Sequence, residues 1–326
     1  MTIGRRTRGR GLARAGAVLA PAALCLSLAG CSLFGTTGGA KPTGGGPVDL
    51  GVPAFTPAAT PTIVAEGAYG KPSTGGVRLA PTGSGLLDGK VIAIDPGHSG
   101  KYDTALLYRT MVSYFGAGRR PCQNAGSTAL GKAATEAELT WDVASRVAPI
   151  LRARGATVLL TRPDNEGFGP CNDERAQIAN RGGANLLISI HGDGNDVATY
   201  RGFFVEYSET MVGGEQVARE SKAAASVLVA AVAAHSTIPI SNYVGGGRGT
   251  RANSNTLGVL NTMQSGPAVL IEMGNIVQTP DWSILSTEEG RQAFAEGVAA
   301  GAGNIVLTPT PASATPAPTP TPTKSK

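Results

Sequence analysis

Apolar and polar positions alternate in a regular order between about residues 87 and 307. Apolar runs of strand length lie at residues 91–95, 157–161, 186–190, 203–207 and 268–272. Stretches with apolar residues at helical spacing lie at residues 135–154, 173–181, 214–235 and 288–305. This alternation predicts a single α/β domain over residues 87–307, in which helices flank a mostly parallel, twisted sheet.

The segments on either side of this domain have compositions that do not support a packed core. Residues 31–86 are rich in Gly, Pro, Thr and Ala, so we expect a disordered tether. Residues 308–326 repeat Thr-Pro and Ala-Pro, which favours an extended, disordered tail.

The first 30 residues predict export from the cytoplasm. An arginine-rich start precedes the apolar stretch 17–28, which is too short to span a bilayer. The sequence Leu28-Ala29-Gly30-Cys31 follows and resembles the lipobox of bacterial lipoproteins, in which the cysteine is acylated. We therefore expect a lipoprotein signal peptide over residues 1–30. The mature chain is then anchored through Cys31 at the outer face of the cytoplasmic membrane, in the cell wall or periplasmic space; an ordinary cleavable signal that contains a cysteine is the alternative.

The charge of the chain argues against nucleic acid as a partner. The formal net charge is +5, and five arginines precede Cys31 with no acidic residue among them. Removing that segment leaves a formally neutral chain. A neutral chain lacks the basic face that neutralises phosphates and releases counterions.

Polar side chains with metal-binding or acid–base chemistry lie at the ends of predicted strands. His98 and His191 each follow a strand, and Glu272 ends the last one. The carboxyl ends of parallel strands meet at one edge of a sheet, where ligand sites gather. Catalytic zinc takes three protein ligands, with imidazole the commonest, and leaves one position open. Glu136 or Glu138, at the start of the first predicted helix, can supply the third ligand. Helix-dipole and loop hydrogen-bonding roles for these residues remain open at this point.

The order and spacing of these residues resemble the zinc-dependent N-acetylmuramoyl-L-alanine amidases of the amidase 3 family, particularly its small actinobacterial members. The resemblance covers about residues 90–305. Its motifs are Val91-Ile92-Ala93-Ile94-Asp95-Pro96-Gly97-His98, Glu136-Ala137-Glu138-Leu139-Thr140-Trp141-Asp142-Val143, Asp173-Glu174-Arg175, Leu186-Leu187-Ile188-Ser189-Ile190-His191 and Pro267-Ala268-Val269-Leu270-Ile271-Glu272. It implies that one Zn²⁺ is held by His98, Glu136 and His191 at the carboxyl edge of the strands, and that Glu272 is the catalytic residue.

Two cysteines remain outside the predicted signal peptide and Cys31. Cys122 and Cys171 favour a disulfide in an oxidising compartment, with free thiols as the alternative. The family resemblance implies the same Cys122–Cys171 pairing.

The resemblance implies a peptidoglycan hydrolase that cleaves the amide bond between N-acetylmuramic acid and L-alanine with zinc-activated water. Peptidoglycan or a muropeptide is then the substrate, and we expect a monomer. Two other functions stay open: a zinc peptidase that acts within the stem peptide, and a peptidoglycan-binding lipoprotein that does not cleave. Retention of both histidines and both glutamates argues against pure binding, which has no need for an open zinc position.

Overall fold

The computed structural model describes residues 76–105, 111–115, 118–253 and 256–308. The predicted signal peptide, Cys31, most of the tether and nearly all of the tail lie outside these residues. Within the described ranges, no helix has both the length and the hydropathy that a membrane span requires.

A seven-stranded mixed sheet organises the fold. Its strands are β1 (Val77–Leu79), β2 (Val91–Pro96), β5 (Thr157–Leu160), β6 (Leu186–Asp193), β7 (Phe204–Ser208), β8 (Thr250–Asn253) and β9 (Ala268–Asn275), in the order β1-β5-β2-β6-β9-β7-β8. Strands β5, β2, β6 and β9 are parallel, as are β7 and β8, whereas β1–β5 and β7–β9 are antiparallel. The predicted α/β domain with a mostly parallel sheet is thus confirmed. A separate hairpin joins β3 (Met111–Tyr114) and β4 (Gly118–Pro121).

Helices cover both faces of the sheet. They are α1 (Glu136–Ala153), α2 (Asn172–Arg181), α3 (Gly214–His235), α4 (Gly258–Asn261), α5 (Thr279–Leu285) and α6 (Glu288–Leu307). The four predicted helices correspond to α1, α2, α3 and α6. The larger core packs α1, α3 and α6 against one face of the sheet, and a smaller core packs α2 and α4 against the other.

Alternation along the strands decides which side chains face the smaller core. Ile188, Ile190 and Ile271 point into the larger core, whereas Leu187 and Leu270 point into the smaller one. Because successive side chains of a strand point to opposite faces, His191 and Glu272 lie on the same face as Leu187 and Leu270. The face with the smaller core therefore carries the polar groups at the carboxyl edge.

Two sequence predictions need correction. Strand β1 (Val77–Leu79) lies inside the predicted tether, pairs with β5 and buries Val77, so the ordered fold begins before residue 87. A strand of three residues with one buried side chain is too short to show a recognisable alternation of apolar and polar positions. In addition, β6 continues to Asp193, so His191 lies within the strand rather than beyond it.

Candidate active site

The three predicted metal ligands converge at the carboxyl edge of β2 and β6. Oε1 of Glu136 lies 2.8 Å from Nε2 of His98 and 3.0 Å from Nδ1 of His191. The two histidine nitrogens are 3.1 Å apart. Three donor atoms from distant parts of the sequence therefore face one another at one point.

The backbone between β2 and His98 is shaped by the approach of His191. A Cβ atom added at Gly97 would lie 2.4 Å from Cε1 of the His191 ring, so only glycine fits at this position. His98 itself has a positive φ of 61°, which turns its side chain back over the strand ends.

The start of α1 determines which glutamate enters the site. Thr135 caps the helix: its backbone N–H donates to Oε2 of Glu138, and its hydroxyl oxygen accepts from the Glu138 N–H. Glu136 points instead into the cluster, where its oxygens accept from the N–H groups of Ser127 and Gly192 at 2.7 and 3.0 Å. The structure therefore brings Glu136 to the histidines and leaves Glu138 at the helix cap.

The donor set fits a bound cation. Nδ1 of His98 lies 3.0 Å from the carbonyl oxygen of Asn124, which can only accept, so this nitrogen carries the proton. In the neutral ring, Nε2 then directs a lone pair towards Glu136, and either a bound cation or the proton of an imidazolium would offset the repulsion between the two acceptors. Two imidazoles and one carboxylate are a set that catalytic zinc accepts.

Burial and the charges of the neighbouring cluster members shift the pKa values of all three side chains. Burial lowers the pKa of His98, but the Glu136 carboxylate outweighs it and the net pKa is raised. Burial likewise raises the pKa of Glu136, yet the charges and hydrogen bonds of the histidines hold it well below its usual range. Burial lowers the pKa of His191, which keeps this ring neutral and able to donate a lone pair.

A buried ion pair supports the loop that carries His98. The carboxylate of Asp95 accepts from Nη1 of Arg175 at 2.8 Å, from the Ser189 hydroxyl at 2.6 Å and from the Thr161 hydroxyl. Arg175 also donates to the main-chain oxygen of His98. Burial raises the pKa of Asp95, but Arg175 and the hydroxyls outweigh it and the net pKa is lowered.

Glu272 lies beside the cluster as a carboxylate with an unpaired oxygen. It is the register partner of His191 across β6 and β9. Its side chain is half-buried, and Oε2 is closed to solvent and accepts no hydrogen bond from the described residues. Burial raises the pKa of Glu272 well above its ordinary value, and the charges of Glu136 and Asp193 add to this effect. Glu272 therefore holds a proton more readily than an exposed glutamate does.

Asp193 has a partner that the sequence did not indicate. Its carboxylate accepts a hydrogen bond from the Tyr243 hydroxyl, and the Tyr243 ring stacks on Tyr200 with centroids 4.3 Å apart. Tyr243 is 50 residues away in the sequence. The structure places Asp193 on Tyr243, in a loop whose sequence carries no signal for this contact.

A cleft of about 750 Å³ opens over these side chains. His98, Glu136, His191, Asp193 and Glu272 all line it, together with residues 120, 121 and 123–127 in one wall and residues 256–259 in another. The predicted disulfide between Cys122 and Cys171 is confirmed, with an S–S distance of 2.03 Å. It fastens the first of these walls to the start of α2.

The chain is similar to several known proteins. A family model described as N-acetylmuramoyl-L-alanine amidase matches residues 92–304. An N-acetylmuramoyl-L-alanine amidase of Mycobacterium tuberculosis is 35% identical over 222 residues, which are 68% of this chain and 88% of the relative. The crystal structure of an N-acetylmuramyl-L-alanine amidase from Mycobacterium smegmatis is 32% identical, with a TM-score of 0.62, and the match covers 68% of this chain and 98% of that one. The apo form of the Mycobacterium abscessus enzyme is 31% identical with a TM-score of 0.59, covering 66% and 97%.

Proposed function

The chain belongs to the N-acetylmuramoyl-L-alanine amidase family, and from this premise we propose that its cleft is a zinc-dependent active site for the amide bond between N-acetylmuramic acid and L-alanine. The observation that carries the proposal is the convergence of His98, Glu136 and His191 within 3.1 Å, beside Glu272 with its unpaired oxygen.

His98, Glu136 and His191 would hold one Zn²⁺ through two ring nitrogens and a carboxylate oxygen. When bound, zinc would supply Lewis acidity, which lowers the pKa of a water molecule towards neutrality and polarises a carbonyl oxygen. The hydrogen bond from His98 to the Asn124 carbonyl fixes the ring tautomer that offers Nε2 to the metal.

Glu272 moves the proton in this proposal. Its carboxylate accepts a proton from the attacking water and delivers it to the nitrogen of the departing L-alanine. A raised pKa suits both steps, because the protonated form must persist long enough to serve as the acid. The hydrogen bond from Tyr243 holds Asp193, whose charge contributes to that raised pKa, at the edge of the cleft.

The products distinguish this function from its alternatives. Mass spectrometry of muropeptides incubated with the purified protein should show an intact stem peptide with an L-alanine amino terminus. Shortened stems still attached to the sugar would support a peptidase within the stem peptide. Binding without any cleavage would support the non-catalytic lipoprotein, and either result would overturn the amidase proposal.

Anchoring and assembly complete the proposal. Cys31, in Leu28-Ala29-Gly30-Cys31, carries a lipid that holds the enzyme at the outer face of the cytoplasmic membrane, where it acts as a monomer. Metabolic labelling with a palmitate analogue tests this point: the wild-type chain should incorporate label and Cys31→Ser should not. Equal labelling of both chains would contradict the anchor, and a dimer in solution would contradict the monomer.

A further inference from the structure

The polar face of the sheet continues from Glu272 to an arginine on the edge strand. Glu272 pairs with Phe204, Leu270 pairs with Glu206, and Glu206 pairs with Arg251 on the other side of β7. Side chains of paired residues lie on the same face, and alternate residues of one strand share a face. All five side chains therefore lie on the face of Leu270 and Glu272, which line the cleft.

Arg251 is held firmly but keeps hydrogen-bonding capacity. One Nη2 group forms an ion pair with the buried carboxylate of Glu206, and the guanidinium lies 4.9 Å from the centre of the Phe204 ring. The Arg251 side chain is nonetheless 48% exposed. Its Nε and Nη1 groups donate to no atom of the described residues, so two donor groups of the planar guanidinium remain available to a ligand.

The cleft beside this face has few cationic side chains. Its ionisable lining residues are His98, Arg120, Glu136, His191, Asp193 and Glu272. Arg251 lies beyond that lining, and its ion pair with Glu206 holds its positive charge on the same face of the sheet as Glu272.

We propose that Arg251 binds a carboxylate of the peptide on the leaving-group side of the scissile amide. The inference rests on the proposed amidase function and names part of its specificity. Two strand spacings and two residues along the strand separate Glu272 from Arg251, or roughly 12 Å between Cα atoms. An extended peptide advances about 3.3–3.6 Å per residue, so this separation corresponds to three to four residues, and the carboxylate belongs to the third or fourth residue of the stem.

The test uses N-acetylmuramoyl peptides that differ only in the third or fourth residue, with a free carboxylate or a carboxamide. The wild-type enzyme should cleave the carboxylate form with a kcat/KM roughly tenfold higher, the scale of a charge-assisted hydrogen bond. Arg251→Gln should abolish this preference, mainly by raising KM for the carboxylate form. Arg248→Gln changes an exposed arginine in the loop before β8 and should leave the preference intact.

Two further variants distinguish a loss of carboxylate recognition from a loss of stability. Arg251→Gln leaves Glu206 buried without its cation, which can destabilise the sheet. The double variant Glu206→Gln/Arg251→Gln removes both charges and should fold while showing no preference. Arg251→Lys keeps the charge without the planar fork and should show a reduced preference.

The outcomes separate this inference from the proposed function. If the wild-type enzyme releases stems from both substrates at equal rates, or if the double variant keeps the preference, Arg251 is not the carboxylate site. Loss of the preference in Arg120→Gln but not in Arg251→Gln would overturn the inference in the same way, because Arg120 lines the opposite part of the cleft. If the wild-type enzyme cleaves the muramyl–alanine bond of neither substrate, the amidase proposal fails first and this inference falls with it.

Discussion

His191 and Glu272 are register partners on the adjacent parallel strands β6 and β9, with their side chains on the same face of the sheet. One supplies a nitrogen to the His98–Glu136–His191 cluster, and the other has an oxygen that accepts no hydrogen bond from the described part of the chain. The pairing of two strands thus sets the separation between the proposed metal site and the proposed acid–base group.

Glu272→Gln should keep the metal and lose the reaction. The amide has nearly the shape of the carboxylate but cannot accept the water proton, so turnover should fall by about 10²–10⁴-fold. Zinc content by mass spectrometry and release of stem peptide check the two halves of this prediction. Glu289→Gln, an exposed carboxylate at the start of α6, is the matched control and should retain full activity. Full turnover in Glu272→Gln would remove the assigned role.

Glu136→Gln and Glu138→Gln should have different consequences although the residues are two positions apart. Glu136 contributes Oε1 to the cluster, so its variant should lose zinc and activity. Glu138 completes the capping box of α1, so its variant should cost about 1 kcal/mol of stability and keep zinc. Zinc content and thermal unfolding of both variants test this contrast, which fails if Glu138→Gln is the variant that loses the metal.

Asp193→Asn should move the acidic limb of the pH profile of kcat/KM to lower pH. After burial and Glu136, the negative charge of Asp193 is a further cause of the raised pKa of Glu272. Removing it lowers that pKa, so the base is deprotonated at a lower pH. Asp196→Asn, an exposed change in the same loop, should leave the limb in place. A shift of the limb to higher pH in Asp193→Asn would contradict this electrostatic account.

Asp95→Asn should destabilise the fold by about 3–5 kcal/mol, because it leaves the buried Arg175 guanidinium without its counter-charge. The pKa of Asp95 is lowered on folding, so its contribution is present above the ordinary pKa and is lost as the pH falls through the folded-state pKa. Urea unfolding of both proteins at neutral and strongly acidic pH measures this difference. An equal loss at both pH values would show that the charge of Asp95 is not responsible.

Much of the fold follows from the hydrophobic pattern. Strands β2, β5, β6, β7 and β9 each contain an apolar run, and α1, α2, α3 and α6 show helical spacing. Strand β8 was missed because it reads Thr-Arg-Ala-Asn and its residues are half-buried or exposed. The antiparallel direction of β7 was also missed, since a sequence pattern does not report the direction of a strand.

The site was only partly predictable. His98 follows from its place after an apolar strand. His191 and Glu272 follow from the ends of apolar runs, although β6 and β9 continue to Asp193 and Asn275. The choice of Glu136 over Glu138 needed the family resemblance. The roles of Arg175, Tyr243 and Arg251 depend on contacts across 80, 50 and 45 residues of sequence, which no local pattern encodes.

The central claim is tested most directly by titrating the metal-free purified protein with Zn²⁺ while mass spectrometry follows the release of intact stem peptide from muropeptides. Our account predicts no release without metal, and a rise that reaches its plateau at one zinc per chain. Full release from the metal-free protein, or a plateau that requires a second zinc, would contradict the assignment of a single ion to His98, Glu136 and His191.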